Sequence, residues 1–122
     1  GWELSGKTLG IIGLGAIGRE VAKRALANDM RVIAFDPYAR AYSSVELTDL
    51  DDVIQQADIL SLHTALTPET QHLINAKSLA RMKDGAYLIN TARGGLVDEV
   101  ALCDALKSNK LAGAAMDAFE IE

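Results

Sequence analysis

The run Gly13-Leu14-Gly15-Ala16-Ile17-Gly18 constrains this chain most, because it stands where a short apolar segment gives way to an amphipathic one. Ahead of it, Lys7 to Ile12 is an apolar run of the kind found in parallel strands buried on both faces. Behind it, Ile17, Val21, Ala22, Ala25 and Leu26 share one helical face, with Arg19, Glu20, Lys23 and Arg24 on the other. A G-x-G-x-x-G run alone is a weak signal, but between a strand and a helix it has a mechanism. Gly13 permits the tight turn, Gly15 removes a side chain where backbone must approach a pyrophosphate, and Gly18 lets helix and strand pack closely. The helix N-terminus then offers unpaired N–H groups and a partial positive charge to the phosphates.

The remainder of the chain repeats the alternation. Arg31 to Phe35 reads as a second strand, stopped by Asp36-Pro37 because proline cannot donate to a ladder. In Thr48-Asp49-Leu50-Asp51 a hydroxyl three residues ahead of an acid predicts a helix start capped by Thr48, and Leu50, Val53, Ile54 and Ala57 then share a face. A strand at Ile59 to Leu62 leads through a polar loop, His63 to Gln71, to a short helix around Ala76 to Met82 closed by Gly85. The next strand is Ala86 to Ile89; Asp98 caps a helix with Leu102, Ala105 and Leu106 inward; Leu111 to Met116 is a last, small-residue strand. The stretch from Tyr38 to Glu46 carries no assigned element. The expected fold is α/β: a Rossmann-type, doubly wound, mostly parallel sheet with helices on both faces, forming a single domain over residues 1–122. In such sheets ligands lie outside the carboxyl ends of the strands.

Composition narrows the classes of function. The formal net charge is −5 and the basic residues are scattered among the acids, which argues against a nucleic-acid or anionic-membrane surface. No apolar stretch approaches the ~18 residues of a membrane span, and the start does not resemble a signal peptide, so a cytoplasmic protein is expected. The single cysteine, Cys103, excludes an internal disulfide and reads as a small apolar residue in a helix. No metal site is expected, since neither His63 nor His72 has the spacing of one.

Asp36, ending the second strand, is placed to accept hydrogen bonds from adenosine ribose hydroxyls and to repel a 2′-phosphate, which favours NAD over NADP. The bland alternative is a turn-forming Asp-Pro. These features would equally suit an S-adenosylmethionine-dependent methyltransferase. The second half discriminates: Leu88 to Glu99 places a lone arginine, Arg93, after a strand at the ligand edge, followed by Gly94 and Gly95, which leave room around it. A guanidinium offers a two-pronged donor to a carboxylate and a fixed positive charge beside a carbonyl becoming an alkoxide.

Four segments, namely Gly13 to Gly18, His63 to Thr70, Asn90 to Glu99, and Gly113 to Glu120, resemble in order the signatures of the D-isomer-specific 2-hydroxyacid dehydrogenases. Gly6 to Gly10 and Gly18 to Ala22 are most similar to the 3-phosphoglycerate dehydrogenase branch. The resemblance implies an NAD-binding domain of an enzyme that interconverts a D-2-hydroxy acid, 3-phosphoglycerate first among the candidates, and its 2-oxo acid. It makes Arg93 the substrate-binding, carbonyl-polarising arginine. It has Ala16 and Ile17 present backbone to the pyrophosphate and Thr64 line the cofactor groove. Thr91 and Ala92 then approach the nicotinamide side, and Asp117 contacts the carboxamide. The family's glutamate that pairs with a catalytic histidine falls on Glu122, with that histidine and the substrate domain absent from this chain. His63 matches a groove position and not the acid/base residue. The chain departs from the family pattern at Ala65, where proline is common, and at Ala118, where valine is usual.

Two functional readings remain. The first is the NAD-binding part of a dehydrogenase, binding NAD without turnover by itself and able to pair as a homodimer. The second is a stand-alone NAD-binding or NAD-sensing module of corepressor type.

Overall fold

The computed structural model describes residues 3–116. Its elements are β1 (Thr8–Ile12), α1 (Ala16–Ala27), β2 (Arg31–Phe35), β3 (Glu46–Leu47), α2 (Leu50–Gln56), β4 (Ile59–Leu62), α3 (Ala76–Arg81), β5 (Ala86–Asn90), α4 (Glu99–Lys107) and β6 (Leu111–Met116). A 3-10 turn, Gly94–Leu96, precedes α4. The six strands form one sheet in the order β3-β2-β1-β4-β5-β6, with every pairing parallel. The first half of the chain winds outward from β1 to β3, and the second half starts again beside β1 at β4 and winds the other way. This is the doubly wound Rossmann-type topology, with its switch point between β1 and β4.

Strand alternation divides the core in two. Leu9, Ile11, Val32 and Ala34 pack with Leu14, Ala22, Ala25, Met30 and Val45 beneath α1. Ile12, Ile33, Leu60, Leu62 and Leu88 face the other way, onto Val53 and Ile54 of α2, Leu79 of α3, and Leu102 and Ala105 of α4. All five residues of β1 are buried, which explains its unbroken apolar run. Among the described helices, α1 covers one face and α2, α3 and α4 the other.

Several sequence expectations need correction. The cap of α2 is Asp49, whose side chain accepts the Asp52 N–H; Thr48 instead donates its hydroxyl to the Asp52 carboxylate at 2.8 Å. An ionised acceptor satisfies a helix-terminal N–H better than a hydroxyl does. Ile17 is 69% exposed, beside the buried stripe of α1 that runs through Gly18, Ala22 and Ala25. Arg19 is half-buried, with its guanidinium over the Tyr42 ring at 5.3 Å, which ties the loop after β2 to α1. Gly85 does not close α3: the helix ends at Met82 in extended backbone, and Gly85, at φ +80°, turns the chain into β5. The two-residue β3 carries no apolar pattern. It is held at the sheet edge by pairing with Ile33 and Ala34 and by Arg31, whose guanidinium reaches Glu46 at 2.8 and 3.1 Å and Gln56 at 2.7 Å. Cys103 lies on α4, but exposed.

The approach of α2 to β1 depends on Gly10. A Cβ there would meet Ala57 Cβ at 2.8 Å and Val53 Cγ1 at 2.9 Å. Gly10→Ala is therefore expected to lower stability by about 1–3 kcal/mol through overpacking. Urea denaturation tests this; a midpoint equal to wild type would show that α2 yields without cost.

Candidate functional site

Parallel register brings the strand ends flush. Phe35, Ile12, Leu62, Asn90 and Met116 lie in one row across β2, β1, β4, β5 and β6. The residues that follow the first four are Asp36, Gly13, His63 and Thr91, so the candidates Asp36, Gly13 and Thr91 stand along one edge with His63, which precedes Thr64. Asp117 would be next after Met116; it lies outside the described residues, as does Glu122.

A groove of about 770 Å³ runs along this edge over the switch point. Its lining includes Gly13, Gly15, Asp36 and Thr64 from the sequence reading, together with Phe35, Tyr38, Leu50, His63, Glu69 and Leu73. Gly13 has φ +95°, and a Cβ on it would sit 2.6 Å from the Thr64 backbone nitrogen. Only glycine fits there. Gly18 is buried, and a Cβ on it would collide with the Gly13 carbonyl oxygen. Gly15 differs from both: nothing lies within 4 Å of its missing Cβ, so the open space there is room above the loop.

That room faces the end of α1. The helices α2, α3 and α4 begin with Asp49, Asn75 and Asp98, each accepting N–H groups of the first turn. α1 begins at Gly15 with no side-chain cap and no acid in its first turn. Its leading N–H groups, which include those of Ala16 and Ile17, are thus left to solvent or an anionic ligand. Asp36 lies across the loop, one carboxylate oxygen accepting the Leu14 N–H at 2.8 Å and the other the Tyr38 N–H at 2.9 Å.

Thr64 and His63 form the opposite wall. His63 is half-buried and its Nε2 shares a hydrogen bond with the buried Ser61 hydroxyl at 2.8 Å. Burial pushes its imidazole below the ordinary value of 6.5. The wall continues through a turn closed by Thr70, whose hydroxyl donates to the Ala65 carbonyl at 2.7 Å and accepts the Thr67 N–H at 2.7 Å.

Thr91, Ala92 and Arg93 stand at the same sheet edge, past the end of β5 and outside the groove lining. Arg93 is exposed. Its backbone is positioned by Asn90, whose sequence signal is an amide closing an apolar strand three residues before an arginine. Asn90 is fully buried; its Nδ2 donates to the Arg93 carbonyl at 2.8 Å and its Oδ1 accepts the Ala92 N–H at 3.0 Å. Two glycines, Gly94 and Gly95, follow Arg93. Both are buried, and Leu66 fills the position beside Gly95, 2.9 Å from where a Cβ would be.

Comparison with known proteins agrees with this geometry. The family model described as D-isomer specific 2-hydroxyacid dehydrogenase, NAD binding domain, matches residues 1–122. The chain is 52% identical over 124 residues to hydroxypyruvate reductase of Thermotoga maritima, covering 100% of this chain and 40% of that protein. It is 49% identical over 127 residues to D-3-phosphoglycerate dehydrogenase of Methanocaldococcus jannaschii, covering 100% of this chain and 24% of that protein. Among solved structures, D-lactate dehydrogenase with NAD+ from Lactobacillus jensenii superposes with a TM-score of 0.94 at 41% identity, over 97% of this chain and 36% of that one. The chain thus spans well under half the length of these relatives.

Two expectations follow from the site. Because folding lowers the His63 pKa, the unfolded chain takes up a proton first as the pH falls. Its contribution to stability is therefore full above pH 6.5 and is lost progressively in the window below that value. His63→Gln should flatten this acid limb in denaturant titrations between roughly pH 5 and 7; identical slopes in the two proteins would refute it. Asn90→Leu, which removes both amide bonds at similar volume, should cost about 1–3 kcal/mol in thermal unfolding, whereas a loss under about 0.5 kcal/mol would mean that solvent replaces them.

Proposed function

The chain belongs to the D-isomer specific 2-hydroxyacid dehydrogenases, as their NAD-binding domain, and from that premise we propose how its residues serve the reaction. The observation that carries the proposal is the flush edge where the uncapped start of α1, the open space over Gly15 and the Asp36 carboxylate meet in one groove.

In this reading the Gly13 to Gly18 loop and the leading N–H groups of α1 hold the pyrophosphate, and Asp36 receives the adenosine ribose hydroxyls. Thr64 closes the groove wall, while Thr91, Ala92 and Asp117 border the nicotinamide. NAD, when bound, supplies or takes up the hydride. The chain's own chemical contribution is Arg93. Its guanidinium meets the substrate carboxylate with two parallel donors and favours the oxygen of the reacting carbonyl as negative charge builds there. Asn90 sets the backbone from which that side chain departs.

Acid/base catalysis is assigned to a histidine supplied by another segment of a longer protein, held in one tautomer by Glu122. His63 is committed to Ser61 in the groove wall, and the His72 N–H donates to the Gly95 carbonyl at 2.8 Å within the loop scaffold. The substrate class is a short D-2-hydroxy acid with its 2-oxo partner, and 3-phosphoglycerate is the first to test. The relatives support the class, since one is named a hydroxypyruvate reductase, one a D-3-phosphoglycerate dehydrogenase and one a D-lactate dehydrogenase. The same reading places the whole enzyme in the cytoplasm, in serine biosynthesis, with subunits paired through this domain.

Calorimetry on this chain with NAD, NADP and S-adenosylmethionine is expected to give the tightest binding for NAD, because Asp36 repels a 2′-phosphate. A preference for either of the others would overturn the assignment of Asp36. Incubated with NAD and 3-phosphoglycerate or simple 2-hydroxy acids, the chain alone should show no turnover. In a full-length protein carrying this domain, Arg93→Ala should lower kcat/KM by at least about 100-fold, as loss of an oxyanion-stabilising donor does. Undiminished turnover there would favour an NAD-sensing role over a catalytic one.

A further inference from the structure

We infer that Asp36 has a second role besides receiving the ribose: it is the positioning residue that fixes the pyrophosphate-binding loop before any ligand arrives. The inference rests on the NAD-binding reading of the groove and deepens it.

The loop between β1 and α1 carries Gly13 and Gly15, two residues of maximal backbone freedom, and freezing such a segment at the moment of binding costs affinity. Leu14 is the residue of this loop that is anchored by a side chain, 2% exposed in the core under α1. Its N–H, between two glycines, would otherwise be a buried donor without a partner. Asp36 Oδ2 accepts it at 2.8 Å across a separation of 22 residues, while Oδ1 accepts the Tyr38 N–H at 2.9 Å and so holds the carboxylate in its own turn. The brace runs from the end of β2 to the middle of the loop after β1. A further bond, Gly13 N–H to the Phe35 carbonyl at 2.9 Å, ties the same two chain ends immediately beneath it.

A carboxylate has about four acceptor positions, and two are in use here. The others remain for ribose hydroxyls, so the two roles coexist on one side chain. Asp36 then acts on the phosphates indirectly, by keeping the N–H groups at the start of α1 aimed at one place. Its removal weakens binding even of a dinucleotide that has no hydroxyls for it to grip.

That consequence separates the two roles. NAD and an analogue lacking the 2′- and 3′-hydroxyls of its adenosine ribose are titrated calorimetrically into wild type, Asp36→Ala and Asp36→Asn. Hydrogen exchange of the Leu14 amide is measured by NMR in the ligand-free proteins and normalised to the Ile11 amide of β1, which reports global unfolding. The brace predicts that Asp36→Ala weakens the analogue at least tenfold and speeds Leu14 exchange at least tenfold over Ile11. Asp36→Asn, which keeps one acceptor oxygen, should recover part of both. If Asp36→Ala binds the analogue as wild type does and Leu14 exchange is unchanged, Asp36 serves the ribose alone and the inference fails. If wild type binds no NAD, the cofactor reading fails, and Leu14 exchange by itself decides whether the brace exists.

Discussion

The ligand edge depends on how closely α1 approaches the end of β1. Two missing side chains make that approach possible, and they act in series: Gly18 in the first turn rests on the Gly13 carbonyl, and Gly13 rests on the backbone of His63 and Thr64 beyond β4. A methyl group at either position would wedge the helix from the sheet or the first strand end from the fourth. Since β1 and β4 flank the switch point, the same two contacts set the width of the crevice where the chain reverses direction across the sheet. Gly10, nested against α2 on the other face, gives β1 equally close packing there. The strand at the centre of the sheet is thus clamped from both sides by absent side chains.

Within the groove, electrostatics come from the backbone and not from basic side chains. Neither lysine nor arginine lines the groove among the described residues, and its charged members are the acids Asp36 and Glu69. In a chain of net charge −5, the attraction available to an anion in the groove is local, from the dipole and uncapped N–H groups of α1. α1 alone among the described α-helices lacks a side-chain cap, and an acid at Gly15 would both occupy those donors and repel an anion.

What was legible in the sequence was whatever repeats with a period or is forced by backbone geometry. β1, β2, β4 and β6 are bounded within a residue by their apolar runs, and the glycine loop carries its own explanation at each position. Features made by tertiary contact were hidden. The strand β3 is held by its ladder and by Arg31, with no pattern of its own. Ile17 fits the apolar stripe of α1 yet is exposed, because the buried face of the helix runs through Gly18, Ala22 and Ala25, and periodicity read from the larger apolar side chains does not count a glycine. Choosing Thr48 as a cap over Asp49 failed because both fit the local spacing, and only the helix start decides between them. In the candidate site, sequence reached the residues that follow strand ends but not the amide of Asn90 that shapes one of those turns.

The cofactor wall and the Arg93 loop are built as one body. The segment after Thr70 forms a short parallel bridge, Ile74 to Val97, with the Ile74 N–H donating to the Leu96 carbonyl at 3.0 Å and the Asp98 N–H to the Ile74 carbonyl at 2.8 Å. His72, at φ +50°, turns its N–H onto the Gly95 carbonyl at 2.8 Å, and Leu66 from the opposite side of the same loop fills the face of Gly95. With Asn90 fixing the other flank of Arg93, the arginine is held between a buried amide on one side and the groove wall on the other. Backbone hydrogen bonds thus join the groove wall at His72 and Ile74 to Gly95 and Leu96, just beyond the arginine. The fold thereby places the proposed cofactor-binding and substrate-binding groups along one sheet edge, where two reactants can be held side by side.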